Sequence, residues 1–215
     1  MPHSWICKLA GAVLSLCASW GAVAQEAAPV QAIWKQQEIG FYFQSFTTFY
    51  SCSGLESKLE RIIKALGGKD VNVRVRAVEC PSSVARMPRV QIEVTSPVEA
   101  TPEAIAERDK TKSTRELAAR VQGKSAEAVE GADQFAANWK RVSLSRGSLK
   151  LEPGDCELID ELRRKVLPKL AVRIVSDNVS CSPNQLTLGQ PQLEIDALVE
   201  APKPDDPEEK NSDGN

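Results

Sequence analysis

Residues 52–76 read CSGLESKLERIIKALGGKDVNVRVR, and this stretch sets the fold class. Ser53 and Glu56 have the S-x-x-E spacing of a capping box, in which two side chains satisfy the unpaired N–H groups of a helix start. Leu55, Leu59, Ile62, Ile63 and Leu66 follow at steps of three and four, which gathers them on one helix face. Gly67-Gly68 then provides the left-handed stop that glycine adopts without strain. Beyond it, Val71, Val73 and Val75 alternate with Asn72, Arg74 and Arg76, the period of a strand with one buried face ending at Cys80.

Outward from this core the pattern extends both ways. Gly40 to Ser51 is rich in aromatic residues and threonine and is expected to form a strand or a bent pair of strands. Val90, Ile92 and Val94 alternate as a further strand, so residues 25–100 read as one β-α-β-β unit. The same order recurs downstream. Trp34-Lys35, Cys52 and Cys80 are answered by Trp139-Lys140, Cys156 and Cys181, and Pro88 to Glu93 by Pro191 to Asp196. Similarity at a near-constant offset is the signature of an internal duplication. In the second copy, residues 134–201, Trp139 to Ser145 is the first strand. Asp155 is the N-cap of a helix carrying Leu158, Leu162 and Val166 and ending at Pro168, and Leu170 to Ile174 and Leu193 to Ile195 are the later strands. The expected fold class is α+β, with two tandem pseudo-symmetric repeats of ferredoxin-like flavour.

The cysteines fit that frame. The strands flanking a β-α-β crossover run parallel, so their C-terminal ends share one sheet edge. Cys52 and Cys80 fall at that edge in the first copy, Cys156 and Cys181 in the second, which selects the pairings Cys52–Cys80 and Cys156–Cys181. A four-thiolate zinc site would show closely spaced pairs, and the nearest two of these cysteines are 25 apart. A reactive thiol at Cys52, just ahead of a helix start, is the competing reading.

Disulfides need an oxidising compartment. Residues 1–24 carry Lys8, an apolar run from Leu9 to Ala18, and Ala22-Val23-Ala24 before Gln25, the pattern of a signal peptide cleaved between Ala24 and Gln25. The apolar run is shorter than the ~20 residues that span a bilayer, so no membrane span is expected after cleavage, and the location is periplasmic or secreted. Residues 101–133 form a polar connector with a helix start at Thr101-Pro102 and a second S-x-x-E box at Ser113 and Glu116. Its basic residues alternate with acids, which reads as a solvated helix face. Residues 202–215 hold three prolines, five acids and no large apolar residue, an expected disordered tail.

Processing would remove the single histidine, His3, and with it every imidazole-dependent triad, metal ligand or pH switch. No phosphate-binding glycine loop, nucleophile elbow, EF-hand loop or C-x-x-C is present, and no cofactor is expected. With 27 Lys+Arg against 29 Asp+Glu the total charge gives no footprint for nucleic acid or anionic lipid. The unusual composition is at Phe41 to Tyr50, where six of the eleven aromatic residues fall in ten positions. On a strand, Tyr42, Gln44, Phe46, Thr48 and Tyr50 share one face and Phe41, Phe43 and Phe49 the other. One face is expected in the core; the other packs across strands or forms a platform for a ligand or partner. The second copy has no such richness.

Gly40 to Gly68, with Gln44-Ser45-Phe46-Thr47-Thr48-Phe49-Tyr50-Ser51-Cys52 ahead of Gly54-Leu55-Glu56, resembles a group of uncharacterised exported proteins of Gram-negative bacteria. The resemblance spans about residues 34–100 and implies a periplasmic or secreted setting without an activity. The expected function is a non-enzymatic binding or scaffold protein using the aromatic strand, with a protein or glycan of the cell envelope as partner. The alternative is a hydrolase of envelope glycan working through carboxylates alone, which requires two acids converging at about 5 to 10 Å.

Overall fold

The computed structural model describes residues 28–80, 84–121, 134–145, 147–182 and 191–202. The expected leader and cleavage site, the end of the expected connector and residues 203–215 of the expected tail lie outside the described residues. In chain order the elements are β1 (Val30–Tyr42), β2 (Tyr50–Ser51), α1 (Cys52–Ala65), β3 (Lys69–Arg76), β4 (Val84–Ala85), β5 (Arg89–Glu99) and α2 (Pro102–Val121). They are followed by β6 (Phe135–Leu144), α3 (Cys156–Glu161), β7 (Val172–Asn178) and β8 (Gln192–Glu200). Six strands form one sheet in the order β3-β5-β1-β6-β8-β7, and β2 and β4 form a two-residue pair beside it. Every ladder among the described residues is antiparallel. The fold is therefore mixed helix and antiparallel sheet.

The alternation of Val71, Val73 and Val75 forms β3, but β3 does not lie beside β1. β5 inserts between them, antiparallel to both, so β1 and β3 point the same way across it. Both chain ends still reach one edge, and the two disulfides form as the sequence requires: Cys52–Cys80 with Cα atoms 6.0 Å apart and Cys156–Cys181 at 5.7 Å.

The helix of residues 52–65 forms, with a different cap. Because the chain leaves β2 at Ser51 in an extended conformation, Ser51 is the N-cap and its hydroxyl accepts from the Gly54 N–H at 3.1 Å. Glu56, expected to complete a box with Ser53, instead accepts the Val75 N–H at 2.8 Å and ties α1 to β3. Gly67 stops the helix at φ 86°, and a Cβ there would stand 2.5 Å from the Leu198 carbonyl oxygen, so the turn also needs glycine for contact with β8. The second helix departs further. Cys156–Glu161 is α-helical, Leu162–Val166 continues as a wider π-helical turn, and Leu167–Lys169 closes as a 3-10 turn. Pro168 has no N–H to continue the α-helical ladder. The connector helix runs unbroken from Pro102 to Val121, so Ser113 is not a helix start; Thr101 caps the start by accepting from Ala104 N–H at 3.2 Å.

The two halves, β1 to β5 and β6 to β8, share one core. Ile39, Phe41, Leu59 and Ile62 from the first meet Leu144, Leu158, Leu162 and Ile195 from the second in a single buried cluster. Among the described residues, the halves meet in the sheet only at Val30–Ala32 against Phe135–Ala137. Around that junction Trp34 stacks on Phe135 at 4.6 Å, Lys69 lies 4.2 Å over Trp34 and Arg173 3.7 Å over Trp139. Each cation also reaches an acid of the opposite half, Lys69 to Glu200 and Arg173 to Glu99.

Candidate functional site

β1 stops at Tyr42 because its partner β5 begins at Arg89, directly opposite. Past that point Phe43 N–H donates to the Pro88 carbonyl at 3.0 Å, and residues 43–49 leave the sheet. Of the two expectations over Gly40 to Ser51, one strand or a bent pair, the second is the nearer: the stretch is the end of β1, a loop, and the short β2.

Carboxylates from the second half hold this loop. Glu157, in the first turn of α3, accepts through one oxygen from the Ser45 hydroxyl, from Phe46 N–H at 2.9 Å, from Thr47 N–H at 3.2 Å and from the Thr47 hydroxyl at 3.0 Å. The Ser45 hydroxyl also accepts from Thr48 N–H at 3.1 Å. Burial alone would raise the Glu157 pKa, but the donors outweigh it and hold the carboxyl below the usual glutamate range. Two residues earlier, Asp155 is fully buried. It accepts from Lys58 Nζ at 2.6 and 2.8 Å, from Glu152 N–H at 2.7 Å and from the Tyr50 hydroxyl. Burial, then the bond to Asp155, pushes the Tyr50 pKa up, so the phenol stays a donor. Close approach completes the clasp: a Cβ on Gly154 would fall 2.3 Å from the Thr48 hydroxyl oxygen.

The five residues expected on one face thus divide. Tyr42 is 63% exposed and Phe46 58%, and Gln44 is exposed with them. Thr48 and Tyr50 are half-buried against the second half. Phe49, expected beside Phe41 and Phe43 in the core, is 45% exposed, because the loop breaks the alternation after Tyr42. Val84 and Met87 join the outer set, since β4 pairs with β2 and Pro88 pairs with Phe43. Five of the nine large apolar side chains exposed among the described residues belong to these two adjoining segments.

Chemically, the acids are brackets. Asp155 is occupied by the donors of Tyr50, Lys58 and Glu152, and Glu157 is held ionised, so Glu157 is not a general acid poised near neutral pH. No cluster of three or more His, Cys, Asp or Glu able to hold a metal ion occurs among the described residues. Sequence reasoning missed Lys58, Asp155 and Glu157. The cap position of Asp155 was visible; that a tyrosine and a lysine some hundred residues upstream would close on it had no local signal. No protein-family model, no curated protein and no solved structure matches the chain.

Proposed function

We propose that this is an exported, non-enzymatic binding or scaffold protein, periplasmic or secreted, that captures a partner of the cell envelope on the outer side of the 42–49 loop. One observation carries it: a loop anchored from beneath by a carboxylate turns Tyr42, Gln44, Phe46 and Phe49 outward. Exposed aromatics cost stability, and a loop already ordered loses little entropy on binding, so the arrangement favours recognition. Two disulfides agree with an oxidising compartment, and the leader with Ala22-Val23-Ala24 supports cleavage before Gln25. The resemblance to exported proteins of Gram-negative bacteria points the same way.

We also read the chain as two tandem β-α-β-β units. The strand orders β3-β5-β1 and β7-β8-β6 agree, and the reciprocal pairs Lys69–Glu200 and Arg173–Glu99 support a pseudo-two-fold relation. The binding reading is tested by replacing Tyr42, Phe46 and Phe49 with serine and comparing cross-linked capture from envelope extract. Capture should be lost with thermal unfolding unchanged; capture equal to the parent would overturn it. Tyr50 is not among the replacements, because its hydroxyl belongs to the clasp.

A further inference from the structure

Arg76 and Arg89 are Cα partners at the last pair of the β3–β5 ladder, and Tyr42 stands opposite Arg89 on β1. Val75 and Val90 beside them are buried, so alternation puts all three on the solvent face of the sheet. Arg74 lies two pairs further in, 3.4 Å from Glu93. Arg86 is exposed three residues before Arg89.

Three observations mark this row. First, among the described residues Arg76, Arg86 and Arg89 have no acid or carbonyl partner, whereas every other arginine whose side chain is described has one. Second, like charges directly opposite on paired strands are destabilising, so Arg76 and Arg89 work against the fold. Third, the matching end of the β7–β8 ladder places Asn178 opposite Gln192, two neutral amides, at no such cost.

We infer that Arg76 and Arg89 form an oxyanion site that takes a phosphate group. Partner Cα atoms on antiparallel strands lie about 4.5–5.5 Å apart, within which two guanidinium forks converge on one phosphate with paired N–H donors. Tyr42 closes the row with a phenolic donor, and Arg86 adds charge at its margin. The phosphate is either a small soluble anion or a lipid headgroup, and the chemistry of the row is the same for both. The site does not rest on the aromatic loop, with which it shares only Tyr42.

The test is titration of the purified protein with inorganic pyrophosphate and, separately, with phosphatidylcholine vesicles with and without phosphatidylglycerol, followed by the arginine Nε–H resonances. Arg76 and Arg89 should shift and Arg141, which is paired with Asp196, should not. Affinity should fall about tenfold in Arg76→Gln or Arg89→Gln and weaken with added salt. Arg141→Gln should leave it unchanged, and the double variant Arg76→Gln/Arg89→Gln should melt no lower than the parent. Binding of pyrophosphate assigns a soluble ligand, and binding only of phosphatidylglycerol vesicles assigns a lipid headgroup. Binding of neither probe, or equal binding by the double variant, overturns the proposal. Phe46→Ser should retain phosphate binding, which separates this site from the aromatic one.

Discussion

The two halves of the molecule solve the same structural problem and then part ways at one end. In both, an outer strand pairs with a middle strand, a helix covers the inner face, and a disulfide ties the helix start to the loop after the outer strand. At the equivalent helix starts the first half uses Ser51, a simple hydroxyl cap, while the second uses Asp155, a buried charge that grips Tyr50 and Lys58 of the first. At the ladder ends the first half sets Arg76 against Arg89, the second Asn178 against Gln192. What is shared builds the scaffold. What differs gives the first half an exposed aromatic and basic end and gives the second half the groups that hold it.

The sharpest way to break this comparison is at the two caps. Asp155→Ala leaves Lys58, 13% exposed, with only the solvated Glu152 at 4.0 Å in place of its buried partner, and should cost about 3–5 kcal/mol in denaturant unfolding. Ser51→Ala removes one surface cap bond and should cost about 1 kcal/mol. Asp155 stands at the N-cap position of α3 but its side chain makes no cap bond to that helix, so equal losses would mean that its grip on Tyr50 and Lys58 adds no more than one surface cap bond. Opening either disulfide comes next. The separations of 28 and 25 residues give roughly 3.5 kcal/mol each in the chain-entropy account. Replacing Cys156 and Cys181 by alanine should cost the more, because Cys156 is buried in the core and Cys52 only partly so.

Smaller effects sharpen the picture. Tyr50→Phe deletes only the hydroxyl bond to Asp155 and should cost about 1–2 kcal/mol. Glu99→Gln and Glu200→Gln, which cut the reciprocal pairs at the junction, should each cost under about 1 kcal/mol and by similar amounts, since all four side chains are substantially solvated.

A pH titration isolates Glu157. Its folded pKa lies below the unfolded value, so its stabilisation is fully present above the usual glutamate range and is lost as pH falls through the folded pKa. The Phe46 and Thr47 amide resonances should move in that acid window, below the range in which exposed glutamates titrate, and Glu157→Gln should abolish the transition.

Much of the scaffold was legible. The leucine and isoleucine spacing on residues 55–66 needs a helix, the valines at 71, 73 and 75 need a half-buried strand, and the cysteine pairing follows from strand direction. Periodicity says that a face is buried without saying against what, so the shared core of the two halves and the grip of Glu157 on the 45–47 backbone had no local trace. Composition favours strand through Tyr50 and does not say where it breaks; β1 ends at Tyr42 because β5 begins at Arg89 and offers it no further partner. Arg76 and Arg89 are thirteen residues apart in a chain of balanced charge; only the register of β3 against β5 brings them together.

The central claim is that recognition is confined to the first-half end. It is tested most directly by placing a photo-crosslinking amino acid at Phe46 and, separately, at Ile174 on β7, which is exposed to a comparable degree, 58% against 48%. Irradiation in intact cells should give a discrete adduct from position 46 and none from position 174. The same adducts from both positions, or an adduct from 174 alone, would contradict the account.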